Sequence, residues 1–202
     1  MSRVADKRLL VPEEVSRSKF ERQIASYRAI EADRRRLGWL VVRAEFPEVV
    51  CLFAAAALRP APILFGVRIG FENYDLWPPS VSFVHPFAEQ PLTKQQLAAI
   101  PFLRQGPSAP PIELPGGMVV RQPEEILIAH SPNEAPFLCL PGVREYHDHP
   151  AHSGDHWFLH RGTAEGTLYF ILDTIYRYGV APIKNYQFGI SVVGYGREGI
   201  PD

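Results

Sequence analysis

Residues 38–72 read GWLVVRAEFPEVVCLFAAAALRPAPILFGVRIGFE, and the reading of this stretch decides the fold. Three apolar segments lie inside it: GWLVVRAEF (38–46), EVVCLFAAAA (48–57) and APILFGVRIGFE (61–72). Each is short, rich in β-branched or aromatic residues, and bounded by Pro, Gly or Glu, the composition of strands separated by turns. They predict an antiparallel meander. Cys51 sits within the second segment between Val50 and Leu52-Phe53, where a free cysteine behaves as a small hydrophobe.

Upstream, Val15, Phe20, Ile24, Tyr27, Ile30 and Leu37 recur at steps near three and four after Pro12. Proline suits a first helical turn, and the spacing predicts one long amphipathic helix ending near Gly38. Its other face carries Arg17, Lys19, Arg22, Arg28, Arg34, Arg35 and Arg36, offset by Glu13, Glu14, Glu21 and Glu31. Such a face is either solvated or a docking surface for a partner protein.

Downstream, FENYDLWPPSVSFVHP (71–86) offers a fourth strand-like run, and then composition changes. Eight prolines fall between residues 86 and 123. That stretch reads as a long ordered insertion outside the sheet, with one short helical candidate, LTKQQLAAI (92–100). Near the C-terminus, Leu168, Ile171, Leu172, Ile175 and Tyr178 mark a second, more deeply buried helix stopped by Gly179. NYQFGISVVGYG (185–196) suggests a final strand. The order of helix, three or four strands, irregular region and buried helix is an α+β arrangement of helices on an antiparallel sheet, expected as one domain over 1–202.

Charge excludes some partners. The 202 residues hold 21 basic and 22 acidic side chains, a formal net charge of −1, so no global field recruits nucleic acid or an anionic membrane. The longest apolar runs, such as VVCLFAAAAL (49–58), are about half the length a spanning helix needs. MSRVADKRLLVPEE (1–14) lacks the apolar core of a signal peptide. A cytoplasmic protein without a membrane span is the expectation, and in a reducing compartment its two cysteines are read singly.

The chemistry concentrates after residue 129. In HSPNEAPFLCLPG (130–142), Pro136, Pro141 and Gly142 disfavour regular structure around Cys139, which predicts a rigid, accessible loop. Five of the seven histidines follow at once: His147, His149, His152, His156 and His160, with Asp148 and Asp155 among them. Imidazole nitrogen with carboxylate oxygen is a common zinc ligand set. Histidines near a thiol equally form a polar rim or lower its pKa when protonated. A cysteine with downstream histidines also meets the minimal parts list of a cysteine–histidine hydrolase.

These residues together resemble the ubiquitin-conjugating enzymes. Pro78-Pro79 shortly after Tyr74, the strand-like PSVSFVHP (79–86), His130, Pro132 and Asn133 preceding Cys139-Leu140, and Trp157 ahead of the helix GTLYFILDTIYRY (166–178) stand in that family's order. Ser131 interrupts the family's His-Pro-Asn tripeptide, the segment before the cysteine is long, and little chain remains for the family's last helices. The resemblance therefore points to a divergent bacterial member of the kind found in ubiquitin-like conjugation operons. It implies a fold with an N-terminal helix, a four-stranded meander, an active-site loop and a buried second helix. It implies Cys139 as a thioester nucleophile, Asn133 as a donor to the oxyanion, and His130 with Pro132 as residues that shape the loop. Asp148 or Asp155 would orient or desolvate the incoming amine. The partners implied are a ubiquitin-like protein, an activating enzyme docking on the first helix, and a target protein; no cofactor is called for. An inactive domain that only binds a ubiquitin-like partner, a zinc-binding protein and a hydrolase stay open beside this reading.

Overall fold

A computed structural model describes residues 10–105, 112–116, 118–120 and 123–187. Its central sheet holds β1 (Trp39–Glu45), β2 (Glu48–Ala54), β3 (Ile63–Gly70) and β4 (Ser80–Val84), in the order β1-β2-β3-β4 with every pair antiparallel. Phe46 and Pro47 alone separate β1 from β2, a connection that only antiparallel neighbours accept. The meander and its helices make a mixed α+β chain.

β2 is buried from Val49 to Ala54 on both faces. It stops there and does not run through the alanines to residue 57, because Ala55–Leu58 turn back through the bond from Leu58 N to Ala55 O (2.9 Å). Cys51 pairs between Val41 and Val67 and is fully buried; burial pushes its thiol far up in pKa. Phe53 and Phe65, register partners, have ring centroids 5.5 Å apart, and Phe65 continues to Phe83 (5.5 Å) and Phe102 (5.7 Å). These rings form the apolar layer on which the helices rest.

The long N-terminal helix is in fact two. α1 (Glu13–Arg28) buries Ser16, Phe20 and Tyr27, whereas Val15, part of the expected apolar stripe, is exposed. Residues 29–30 form a turn, and α2 (Glu31–Arg36) departs from it. The break brings the chain back to the sheet, where Ala54 N donates to Gly38 O (2.8 Å). Gly38 has φ +92°, and a Cβ there would lie 2.1 Å from Ala54 O, so no other residue permits this approach. α2 then lays Arg34 over the rings of Trp39 and Tyr169, 5.2 Å from each centroid.

Three two-stranded ladders occupy the region between sheet and last helix: β5 (Leu103–Gln105) with β8 (Pro123–Glu125), β6 (Ile112–Leu114) with β7 (Met118–Val120), and β9 (Leu127–Ile128) with β10 (Phe137–Leu138). The helical candidate at 92–100 is a succession of turns, opened by reciprocal Thr93–Gln96 bonds of 2.9 and 3.3 Å and carried on by Ala98 N to Gln95 O and Ile100 N to Leu97 O. Pro101 is the reason, since it disfavours helical geometry at Ile100 before a helix has room to propagate. The proline-rich segment nonetheless gives Leu92, Leu97 and Phe102 to the core shared with the sheet.

The chain then forms α3 (Arg144–Asp148) and α4 (Leu168–Ile175), the latter burying Leu168, Ile171, Leu172 and Ile175. Gly179 does not stop α4. The α-geometry gives way at Ile175 to a π-turn over Tyr176–Val180, closed by Ala181 N to Tyr176 O (2.8 Å). Gly179 is needed there because a Cβ would come 2.6 Å from the Phe102 ring. Of the strand expected at 185–196, residues beyond 187 lie outside the described part. Among the described residues no helix is long and apolar enough to cross a membrane.

Candidate functional site

β10 delivers Cys139 to the site. Leu138 and Leu140 on either side are buried, and Cys139 N donates to Ile126 O (2.7 Å). The thiol itself is half-buried, less open than the flanking prolines predict. Beyond it Gly142 passes directly against Gly166, where a Cβ would meet Gly166 N at 2.1 Å. The chain after the cysteine and the chain entering α4 are thereby held backbone to backbone.

α3 is anchored on the double proline. Arg144 N donates to Pro79 O (2.9 Å), and its guanidinium donates to Glu72 O (2.8 Å) and lies over the Trp77 ring. The Glu145 carboxylate accepts from the Ser80 hydroxyl and from Val81 N (3.0 Å). Trp157 completes the frame by donating from Nε1 to Asp75 O (3.1 Å), and the Asp75 carboxylate pairs with Lys19 of α1 and with Arg161 (3.2 Å).

Within this frame, His152 Nε2 lies 3.6 Å from Cys139 Sγ. His152 ends a short 3-10 turn, Pro150–His152, whose start is capped by His149 Nδ1 accepting from Ala151 N. Its ring stacks on Tyr146, with centroids 3.8 Å apart and planes 21° from parallel. Tyr146 donates its hydroxyl to Asp155 Oδ2 (2.7 Å), Asp155 Oδ1 meets His160 Nε2 (2.6 Å), and His160 Nδ1 meets Glu165 Oε2 (2.5 Å). His147 sets one ring nitrogen against Asp155 O (2.8 Å) and the other against Pro141 O.

Burial raises the Cys139 thiol in pKa, while Arg104 and Glu124 act on it in opposite directions. Burial also lowers His152, helped by His149 and His147 and opposed by Asp155. The resting pair is therefore a thiol beside a neutral imidazole, not a thiolate–imidazolium pair. A neutral imidazole at this position can take the sulfur's proton as sulfur attacks. His160 behaves oppositely: burial works to lower it, but Asp155 and Glu165 outweigh burial and raise it. The Tyr146 hydroxyl and His160 hold Asp155 below its ordinary value.

The residues singled out in sequence divide into those gathered here and those apart. His130 is exposed and stacks on His149 (5.5 Å, 19°), which itself lies 5.2 Å from Phe137 and 5.6 Å from His152. Asn133 is exposed in a turn over 131–134, whose Pro132 and Glu134 carbonyls accept from Gln95 N and Lys94 N at 2.8 Å each; β10 stands between that turn and Cys139. His156 caps the 3-10 turn Trp157–Leu159 by accepting from Phe158 N, so His156 and His160 do not share a helix face. Asp155 is central to the site, while Asp148 is exposed at the end of α3. His147 and His160 commit both ring nitrogens to oxygen atoms, and among the described residues no three His, Cys, Asp or Glu side chains group as a metal site. Tyr146 and Glu165 escaped the sequence reading. Glu165 stands five residues after His160, a step that matches neither helix nor strand, so no pattern tied it to the histidine cluster.

Comparison with known proteins places the chain in a family. The chain matches the model of the Y4jH-like (Y4jH) family over residues 11–183. It is 40% identical over 185 residues to "Uncharacterized protein y4jH" of Sinorhizobium fredii (strain NBRC 101917 / NGR234), a match covering 90% of each chain. The chain belongs to the Y4jH-like family. Neither name states an activity, and nothing in these matches ties the family to ubiquitin-conjugating enzymes.

Proposed function

We propose that this member of the Y4jH-like family is a thioester carrier, in which Cys139 accepts the C-terminal acyl group of a ubiquitin-like protein from an activating enzyme and passes it to an amine on a target. The observation that carries the reading is the 3.6 Å approach of Cys139 Sγ to His152 Nε2 on the loop after the meander. In loading, sulfur attacks the carbonyl carbon of the activating enzyme's thioester and the old carbon–sulfur bond breaks. His152 takes the Cys139 proton and returns it to the leaving thiolate. In transfer, the amine nitrogen attacks, the bond to Cys139 breaks, and the amine's proton returns to the Cys139 sulfur. A half-buried thiol kept protonated at rest suits a carrier, because it is spent only when an acyl donor and a base are both in place.

The UBC-like details belong to this proposal: α1, the β1–β4 meander, Pro78-Pro79 supporting α3, and α4 as the buried second helix, with the proline-rich segment as an insertion in one domain. In it, Asn133 donates to the oxyanion once the partner's tail lies across the loop, and His130 with Pro132 shapes that edge. Basic residues of α1 and α2, with Arg22 and Arg35 exposed, form the docking face for the activating enzyme.

The same Cys–His approach favours a second reading, a thiol hydrolase. Incubation with a ubiquitin-like protein, its activating enzyme, ATP and free lysine separates them. Modifier joined to lysine, formed more slowly by Asn133→Ala, supports the carrier. Release of modifier to water alone favours the hydrolase.

A further inference from the structure

We propose that His160 is a positioning residue for Cys139: clamped between Asp155 and Glu165, it fixes Asp155, through Asp155 the Tyr146 ring, and through that ring the His152 imidazole against the thiol. The inference rests on the Cys139–His152 pair of the proposed carrier and adds the device that controls it.

Five contacts run in series. Glu165 Oε2 and Asp155 Oδ1 approach opposite nitrogens of one imidazole at 2.5 and 2.6 Å. Asp155 Oδ2 then holds the Tyr146 hydroxyl at 2.7 Å, Tyr146 stacks under His152 at 3.8 Å, and His152 meets sulfur at 3.6 Å. The hydroxyl bond is what orients the stacking ring, so the platform under His152 depends on where Asp155 is held. Other groups face this series: His147, whose ring lies 5.8 Å from His160 and 5.0 Å from Tyr146; His149, 5.6 Å from His152; and Arg104 and Glu124 near the thiol.

Only a doubly protonated imidazole donates to two carboxylates at once. Once His160 loses a proton, one carboxylate faces a lone pair, and Asp155 and Glu165 repel across the ring. The clamp opens, and His152 loses the ring that steadies it. Base-assisted reactivity of Cys139 thus occupies a window. It opens as pH rises past His152's lowered value and closes past His160's raised value, after which direct ionisation of the thiol takes over.

The test is alkylation of the full chain by iodoacetamide across pH, with Cys139 quantified by peptide mass. In this reaction sulfur bonds to the acetamide carbon, iodide leaves, and His152 takes the proton. Wild type is expected to show a plateau near neutrality and then an alkaline rise. His160→Gln should lose the plateau, falling about tenfold to the rate of His152→Ala, yet rejoin wild type on the alkaline limb. Glu165→Gln, which leaves no carboxylate to face the neutral ring's lone pair, should keep the plateau and carry its upper edge to higher pH. A folded His160→Gln that keeps the plateau overturns the proposal. So does an unmoved upper edge in Glu165→Gln, which decides the matter if His160→Gln does not fold. Since no partner protein is used, an intact window with no modifier loading would refute the carrier and leave this inference standing.

Discussion

Gln23 Oε1 accepts the backbone N–H of Leu168 at 3.1 Å, so a side chain of α1 caps the first turn of α4. The Thr167 hydroxyl accepts from Phe170 N at 3.3 Å in the same turn. Together they satisfy two of the four N–H groups that a helix start leaves unpaired. Because Gly166, two residues before α4, packs against Gly142, this cap also holds the start of α4 beside the chain that follows Cys139.

Gln23→Ala is expected to destabilise the chain by about 1 kcal/mol, and Thr167→Ala by a similar amount. Urea unfolding followed by circular dichroism measures both. Neutral effects would show that packing alone holds the helix start.

Phe102 carries the proline-rich segment into the core. It is fully buried, stands 5.3 Å from Phe83 and 5.7 Å from Phe65, and covers Gly179. Phe102→Ala should cost about 3–5 kcal/mol. A cost near 1 kcal/mol would mean that the segment is only loosely docked.

Much of this architecture was legible because local chemistry and tertiary structure agree. The strands from Trp39 to Gly70 advertise themselves by β-branched runs between prolines and glycines, and their short connections force antiparallel neighbours. Cys51 announces its burial by its neighbours. Failures came where a tertiary contact overrides local propensity. The helix break at residues 29–30 serves the Gly38–Ala54 approach, and Phe102 looks like a loop residue until aromatics of two strands, Phe65 and Phe83, pack against it. The candidate site was half legible for the same reason. Cys139 and the histidine cluster stand out by composition, but the choice of His152 over four neighbours, and the part of Tyr146 and Glu165, depend on irregular backbone with no period to read.

Acid and base should loosen the loop from opposite sides. His160 is raised in the folded state, so its stabilisation is fully present below its unfolded value and is lost as pH rises through the folded value. Asp155 is lowered, so its share is present above its unfolded value and is lost as pH falls through the folded one. His160→Gln should therefore flatten the fall in Tm on the alkaline side of pH 6.5. An unchanged slope in thermal melts would contradict the clamp.

The two cysteines should separate cleanly under a thiol reagent. Cys51 is fully buried and Cys139 half-buried beside a base. In native protein iodoacetamide should modify Cys139 alone, with Cys51 reacting only after denaturation. Equal native labelling would show that the β2 core opens freely.

The most direct test of the central claim is intact-mass spectrometry after incubation with a ubiquitin-like protein, its activating enzyme and ATP, with and without reductant. Wild type should gain the mass of one modifier minus water in a reductant-labile adduct, and peptide mapping should place it on Cys139. Cys139→Ala should gain nothing. A loaded activating enzyme with no adduct on wild type, or an adduct that survives in Cys139→Ala, would contradict the account.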